Sequence, residues 1–189
     1  AASDVYKRQA MLILWIPFGF RGTCYYMRKV YHRTFFQNPT ACMVSKPEIN
    51  HTIGYSGERG IFIFNNLHRY MLYLAIAILS MKYYDVVHTM QFSGSWGFSV
   101  GTLVLAIESF LLTMYVISCH AFRHLVGGFL NQWRGRTSSF AGRIFKFSSR
   151  HNVHHNLWFW TSLAMVFLGD LFVMAVAEGL ISDPRLVLG

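Results

Sequence analysis

The chain has 189 residues, of which 53% are hydrophobic, 17% aromatic and only 13% charged, and its formal net charge is +9. Soluble domains carry roughly 25% charged residues, so this composition argues against both an ordinary soluble globule and a disordered chain. It also argues against a nucleic-acid-binding protein, in which a basic surplus lies on a polar, charge-rich surface. A membrane protein with basic loops is the class that fits.

The N-terminal residues differ in character from the rest of the chain. Residues 1–10 begin AASDVYKRQ and share nothing with the apolar segment that follows, so we interpret them as a non-native remnant. Residues 11–20 (MLILWIPFGF) are apolar but shorter than the roughly 20 residues that span a bilayer. We interpret this segment as the second half of a truncated helix, and residues 11–189 as one transmembrane helical domain.

Three longer apolar segments, residues 61–84, 97–119 and 157–177, are each at or above the length that crosses a hydrocarbon core of about 30 Å. They predict an all-α integral membrane bundle of three complete transmembrane helices plus the truncated N-terminal one. Two acids, Glu108 and Asp170, lie inside these spans. Because a charge at mid-membrane costs about 2.5–3.5 kcal/mol, each is expected to face the bundle, either on a proton path or as a neutral acid bonded across a helix interface.

Basic residues are distributed unevenly between the two sides of this bundle. One side carries thirteen Lys and Arg in two loop regions, whereas Lys82 and Arg185 are assigned to the other side. This asymmetry predicts a multi-pass protein of the cytoplasmic (inner) membrane with its basic loops in the cytoplasm. The thirteen residues are Arg21, Arg28, Lys29, Arg33, Lys46, Arg59, Arg69, Arg123, Arg134, Arg136, Arg143, Lys146 and Arg150.

The same side holds all three cysteines and eight of the nine histidines. Cytoplasmic thiols stay reduced, so no disulfide is expected, whereas thiolate and imidazole together suit zinc, iron–sulfur clusters or haem. His120 and His124 are four residues apart and therefore share a helix face, and His151 and His155 have the same spacing at the start of the last helix. These residues are Cys24, Cys42, Cys119, His32, His51, His68, His120, His124, His151, His154 and His155.

Three chemistries are compatible with this inventory. The two histidine pairs resemble the boxes of di-iron membrane oxygenases such as desaturases and hydroxylases, although a third box is missing. Haem b needs two axial histidines, for which His68 with either His124 or His155 is a candidate set. An iron–sulfur cluster with two Cys and two His ligands is the third possibility, using His124 and His155 with two of the three cysteines.

Several segments together resemble one family in order and spacing. They are RGTCYYMRKVYHRTFF, NPTACMV, NNLHRY, ISCHAFRHLVGG and SDPR, and the family is the membrane-anchor subunit of bacterial succinate dehydrogenase or fumarate reductase. The resemblance implies a non-catalytic or quinone-reducing subunit that docks an iron–sulfur subunit, and with it a flavoprotein subunit, and binds no nucleic acid. It also implies a two-Cys, two-His iron–sulfur cluster or haem b, with quinone as substrate. A histidine-box oxygenase and a cofactor-free structural anchor remain the alternatives.

The resemblance carries over to individual positions. Phe122 departs from the family, in which a second cysteine is expected, and His151 and His154 look like local additions. The cofactor and metal ligands it implies are Cys24, Cys42, Cys119, His68, His120, His124 and His155, with Asn152 also matching. No catalytic residue is expected on this chain.

Quinone binding needs donors near the bilayer edge, and basic and aromatic residues at helix ends are suitably placed for it. Their alternative role is snorkelling and aromatic anchoring at the membrane interface. Residues 125–150 mix arginines with aromatic residues, which is typical of a segment lying in the head groups or of a docking surface. The quinone-binding candidates are Arg21, Arg28, Tyr25, Tyr26 and Arg69.

Overall fold

The computed structural model describes residues 14–34, 60–92, 95–127 and 140–188. The chain forms two compact units, Ala1–Leu72 and Tyr73–Gly189. The predicted N-terminal remnant and Cys42 lie outside the described residues and stay predictions.

The described residues of the first unit form short helices and the start of a longer one. Residues 14–22 form helix α1, and α2 spans Tyr25–Thr34 after a break at Thr23 and Cys24. A 3-10 helix, Gly60–Leu67, leads into α3, His68–Thr89, whose first turn belongs to this unit. Phe20, Cys24 and Leu72 are its buried apolar side chains among the described residues.

In the described part of the second unit, the remainder of α3 is followed by four further helices. These are α4, Val100–Ile117; α5, His120–Gly127; α6, Phe140–Asn152; and α7, His155–Ala177. Three strands at one end form a small antiparallel sheet in the order β1, Gln91–Phe92, β2, Ser95–Ser99, and β3, Arg185–Leu188. In its register Gln91 faces Trp96, and Gly97 faces Val187.

The predicted transmembrane bundle is confirmed. Among the described residues, three helices are long and apolar enough to cross a membrane: Ile63–Thr89, Val100–Ile117 and His155–Ala177. The sheet was not predicted, and residues 95–99, of which 97–99 had been assigned to the second span, form β2 instead. Ser99 is the N-cap that starts α4, because its hydroxyl accepts from Thr102 N–H at 3.0 Å.

Small residues allow α4 and α7 to pack closely. Ser109 and Ser162 are completely buried, and Gly169 faces Glu108 so closely that a Cβ there would lie 3.0 Å from Glu108 Oε2. Close backbone approach through small side chains is how transmembrane helices associate, because lipid supplies no hydrophobic drive between them. At the end of α7, Gly179 takes the left-handed conformation (φ 73°) that closes the helix.

The two intramembrane acids differ in location. Glu108 is 1% exposed and accepts an ion pair from Lys82 Nζ of α3, so the expectation that it faces the bundle is confirmed. Asp170 is exposed, so the same expectation was wrong for this residue. Successive residues of a helix lie about 100° apart, so Gly169 contacts Glu108 while Asp170 is turned away. Lys82, which was assigned to a loop side, is within the span and pairs with Glu108.

Two further expectations are corrected. His151 and His155 do not share a helix face, because α6 ends at Asn152 and α7 begins at His155, with His154 N–H bonded to His151 O in the turn between them. The amphipathic segment predicted over residues 125–150 is helical where it is described, in the last turn of α5 and in α6, with residues 128–139 outside the described part.

Candidate functional site

A buried histidine starts α7 and is held on two sides. His155 is 9% exposed, and its ring stacks on Tyr115 with a centroid distance of 5.0 Å and an interplanar angle of 18°. Its Nδ1 lies 2.8 Å from the Ser118 hydroxyl, in the corner between α4 and α5. The next residue in that corner is Cys119, which is 2% exposed. The imidazole therefore has a fixed plane and one anchored nitrogen.

Helix α6 supports the same corner. Ser148 donates its hydroxyl to Ile117 O at 2.6 Å, and the Asn152 side chain donates to Ser118 O at 2.7 Å. The last carbonyls of α4 lack partners within the helix, so these side chains satisfy them. The hydroxyl that contacts His155 is thus held by long-range contacts from a separate helix.

A second buried histidine starts α3 in the first unit. His68 is 9% exposed and stacks on Phe20 with a centroid distance of 4.7 Å and an interplanar angle of 4°. Its Nδ1 lies 3.1 Å from the Thr23 hydroxyl, which itself donates to Gly19 O at 2.7 Å. Cys24, the next residue, is 2% exposed. The unit therefore repeats the combination of a hydroxyl, a following buried thiol and a stacked imidazole.

The third group of histidines is exposed. His120 and His124 lie one turn apart on α5 with their Nε2 atoms 3.0 Å from each other, which confirms the prediction that they share a face. Burial, then the neighbouring His124 and then Arg123, lower the pKa of His120 below its usual value of 6.5. The lowered pKa biases His120 toward neutral imidazole, the form that binds metals.

The quinone-binding candidates are on the surface of the first unit. Tyr25 is 56% exposed, and its ring lies beneath Arg28 Cζ at 5.6 Å and Lys29 Nζ at 5.2 Å. Arg69 is exposed on the first turn of α3, and Arg21 is half-buried at the end of α1. These are cation–π and interfacial positions that suit both quinone contact and anchoring in head groups.

The donor types fit a metal-containing cofactor. Buried thiol and imidazole side chains are the ligands that iron–sulfur clusters and haem take from proteins. Cys24 and Cys119 are both buried, and neither forms a disulfide. Within the described ranges, no three His, Cys, Asp or Glu side chains form a group that could hold a metal ion.

The sequence alone did not identify several residues that shape these arrangements. They share a role in holding a histidine, a helix end or an acid rather than offering a ligand. A signal for two of them was present, since a hydroxyl residue immediately precedes Cys24 and Cys119. The missed residues are Thr23, Ser118, Ser148 and Lys82.

Comparisons with known proteins agree with one another. A family model described as actinobacterial succinate dehydrogenase subunit SdhC matches residues 2–179. Among solved structures, the chain is similar to a chain of the Mycobacterium smegmatis Sdh1 complex in the apo form, with a TM-score of 0.79 and 35% identity. That match covers 95% of this chain and 66% of the other, so this chain spans less than two thirds of its relative's length. No curated protein matches it.

Proposed function

Because the chain belongs to the actinobacterial succinate dehydrogenase subunit SdhC family, we propose that it is a membrane-anchor subunit that passes electrons from an iron–sulfur subunit to membrane quinone. Three membrane-spanning helices support the anchoring role. The observation that carries the electron-transfer role is that His68 and His155 are both buried, each with its ring stacked on a separate aromatic side chain. Each is the first residue of a membrane helix, α3 or α7.

The proposed cofactor is an iron–sulfur cluster of the two-Cys, two-His type, with haem b as the alternative. The chemistry of the donors supports it, because buried thiols and imidazoles occur together in this chain. When bound, such a group supplies electron transfer between the partner subunit and quinone. The proposed ligands are drawn from Cys24, Cys42, Cys119, His120, His124 and His155, with His68 as a further cofactor-binding residue.

The chain's own residues have three tasks in this proposal. Tyr25, Arg21, Arg28 and Arg69 orient quinone by donating hydrogen bonds to its oxygens near the bilayer edge. Lys82 and Glu108 compensate each other's charge within the span, which keeps the bundle stable in lipid. Apolar helices exclude water from the region through which electrons pass.

The proposed location is the cytoplasmic membrane, with the basic loops in the cytoplasm. There they face the iron–sulfur and flavoprotein subunits of the same complex. Support comes from the sequence, in which thirteen Lys and Arg fall in the two loop regions that we assign to one side of the spans. A basic face also accelerates docking of partners that present acidic patches.

The test uses the complex purified from membranes. Electron paramagnetic resonance of the reduced complex should show a signal of low average g if the cluster is bound, whereas haem b would give a Soret band instead. His155→Gln should abolish or reshape that signal. The matched control is His154→Gln, because His154 is its exposed neighbour and should leave the spectrum unchanged.

The outcomes separate the candidates. Succinate-dependent quinone reduction together with either spectrum supports the proposal. Quinone reduction with neither spectrum overturns the cofactor assignment and leaves a structural anchor. Oxygen-dependent hydroxylation or desaturation of lipid, with no succinate oxidation, overturns the subunit assignment itself.

A further inference from the structure

We infer that the exposed face of α6 binds anionic phospholipid at the edge of the bilayer, with three cations on the lipid phosphates and two phenylalanines against the acyl chains. The five residues are all exposed: Phe140, Arg143, Lys146, Phe147 and Arg150. None of them is among the residues assigned to quinone or to a cofactor, so this lipid site does not depend on electron transfer.

Helix α6 has one face against the rest of the second unit and one exposed face. Gly142 and Ser148 are buried, and Ser148 donates to Ile117 O at the end of α4. Arg123 of α5 lies over the Phe145 ring, with its Cζ 5.7 Å from the centroid. Since successive helical residues lie about 100° apart, the five exposed residues share an arc of about 120° on the other side of the helix.

Charged and aromatic side chains are separated within the exposed arc. Lys146, Arg150 and Arg143 occupy one side of it, and Phe147 and Phe140 occupy the other. Phe140 is 72% exposed and Phe147 is 46% exposed. Arg143 Cζ lies 6.0 Å from the Phe140 ring centroid, so the cationic and aromatic sides adjoin. Aromatic residues beside Lys and Arg are typical of helices that lie in the membrane interface.

The position of α6 places this face at the level of the head groups. Its Ser148 is bonded to Ile117, the last residue of the α4 span, and the α7 span begins at His155, three residues after α6 ends. Exposed apolar side chains continue into that span, since Val153 is 78% exposed and Leu157 is 52% exposed. Apolar side chains on the outside of a membrane helix face acyl chains. This continuity favours lipid over a protein partner as the occupant.

The cations of this face need a complementary charge from outside the neighbouring helices. Residues 109–169 contain six Lys and Arg and no Asp or Glu. Acids of α5, of α6 or of the first turns of α7 therefore do not neutralise the charges on α6. Phosphate oxygens supply that charge, and arginine binds them through paired hydrogen bonds. Each Lys or Arg close to an anionic membrane surface strengthens the attraction about fivefold.

The test identifies the occupant at the site itself. The photo-crosslinker p-benzoylphenylalanine replaces Phe140 or Phe147 in the intact complex, which is reconstituted into vesicles of equal parts phosphatidylglycerol and phosphatidylcholine. After illumination, mass spectrometry of this chain should find crosslinked lipid, with phosphatidylglycerol exceeding phosphatidylcholine about fivefold or more. The matched control places the crosslinker at Phe145, which lies beneath Arg123 and should react within the chain.

Charge variants test the head group. Arg143→Gln, Lys146→Gln and Arg150→Gln together should bring the ratio of the two crosslinked lipids close to one. Arg143→Lys with Arg150→Lys retains the charge and should retain most of the excess of phosphatidylglycerol. An unchanged ratio in the triple glutamine variant overturns the inference.

The wild-type charges also decide the outcome without any charge variant. A ratio close to one with the three cations present overturns the inference, even if the glutamine variants do not accumulate. Crosslinks from Phe140 and Phe147 to another subunit, in place of lipid, overturn it as well and identify a protein docking surface. Lipid crosslinks of equal yield at Phe145 contradict the assignment of the site to the exposed face.

Discussion

The surroundings of His68 and His155 are built from the same parts with different supports. Each has a hydroxyl on Nδ1, an aromatic ring against its face and a buried cysteine next to the hydroxyl residue. Thr23 lies in a break between two helices, and its hydroxyl is supported by a hydrogen bond to Gly19 O, four residues back. Ser118 lies in a corner that is held by α6, more than thirty residues away. The same types of side chain therefore surround both histidines. The support of Thr23 comes from a residue close in sequence, whereas the corner at Ser118 is supported by a separate helix.

The largest expected difference in stability between the two regions follows from breaking the ion pair of Lys82 and Glu108 in the second unit. Lys82→Leu leaves the buried Glu108 carboxylate without its partner, and breaking a buried pair costs about 3–5 kcal/mol. The thermal unfolding temperature of the complex should therefore fall. Glu108→Leu should cost less, because Lys82 is 29% exposed and its long side chain can reach the interface.

The double variant provides the control. Lys82→Leu combined with Glu108→Leu removes both charges and should recover most of the stability lost in Lys82→Leu. Equal losses in the single and double variants would show that the two side chains do not compensate each other.

A smaller effect should be confined to the tertiary support of His155. Ser148→Ala removes the partly buried hydrogen bond to Ile117 O, and the net loss of one such bond costs about 0.5–1.5 kcal/mol. Differential scanning calorimetry of the complex measures this loss. Ser149→Ala is the matched control, because the Ser149 hydroxyl is buried and has no hydrogen-bond partner among the described residues. Equal destabilisation by both variants would contradict the supporting role of α6.

The smallest effect concerns the exposed pair on α5. Since the pKa of His120 is lowered in the folded protein, the unfolded chain binds more protons as pH falls through the range below 6.5. The contribution of His120 to the free energy of unfolding is therefore fully present above pH 6.5. It declines as pH falls toward the lowered pKa of this residue. In chelator-treated protein, His120→Gln should flatten the dependence of unfolding temperature on pH in that window. An unchanged profile would show that His120 does not contribute.

The three spans could be predicted because a long apolar run has few alternatives to a membrane helix. The sheet could not, since β1, β2 and β3 are short and β3 pairs with residues 86 to 92 positions earlier. Candidate histidines were visible as a one-sided cluster, and the i, i+4 spacing correctly paired His120 with His124. Their partners were not visible, because which hydroxyl meets which imidazole depends on where helices end. The break between His151 and His155 shows the limit of spacing alone.

The close contact at Gly169 has a consequence for sequence variation. A methyl group at this position would meet the Glu108 carboxylate at 3.0 Å, and that carboxylate is the partner of Lys82. We therefore expect Lys82, Glu108 and Gly169 to be substituted together in natural and engineered sequences. A relative that exchanges the glycine for a larger residue should also have exchanged the acid and the lysine, and one that keeps the acid should keep the glycine.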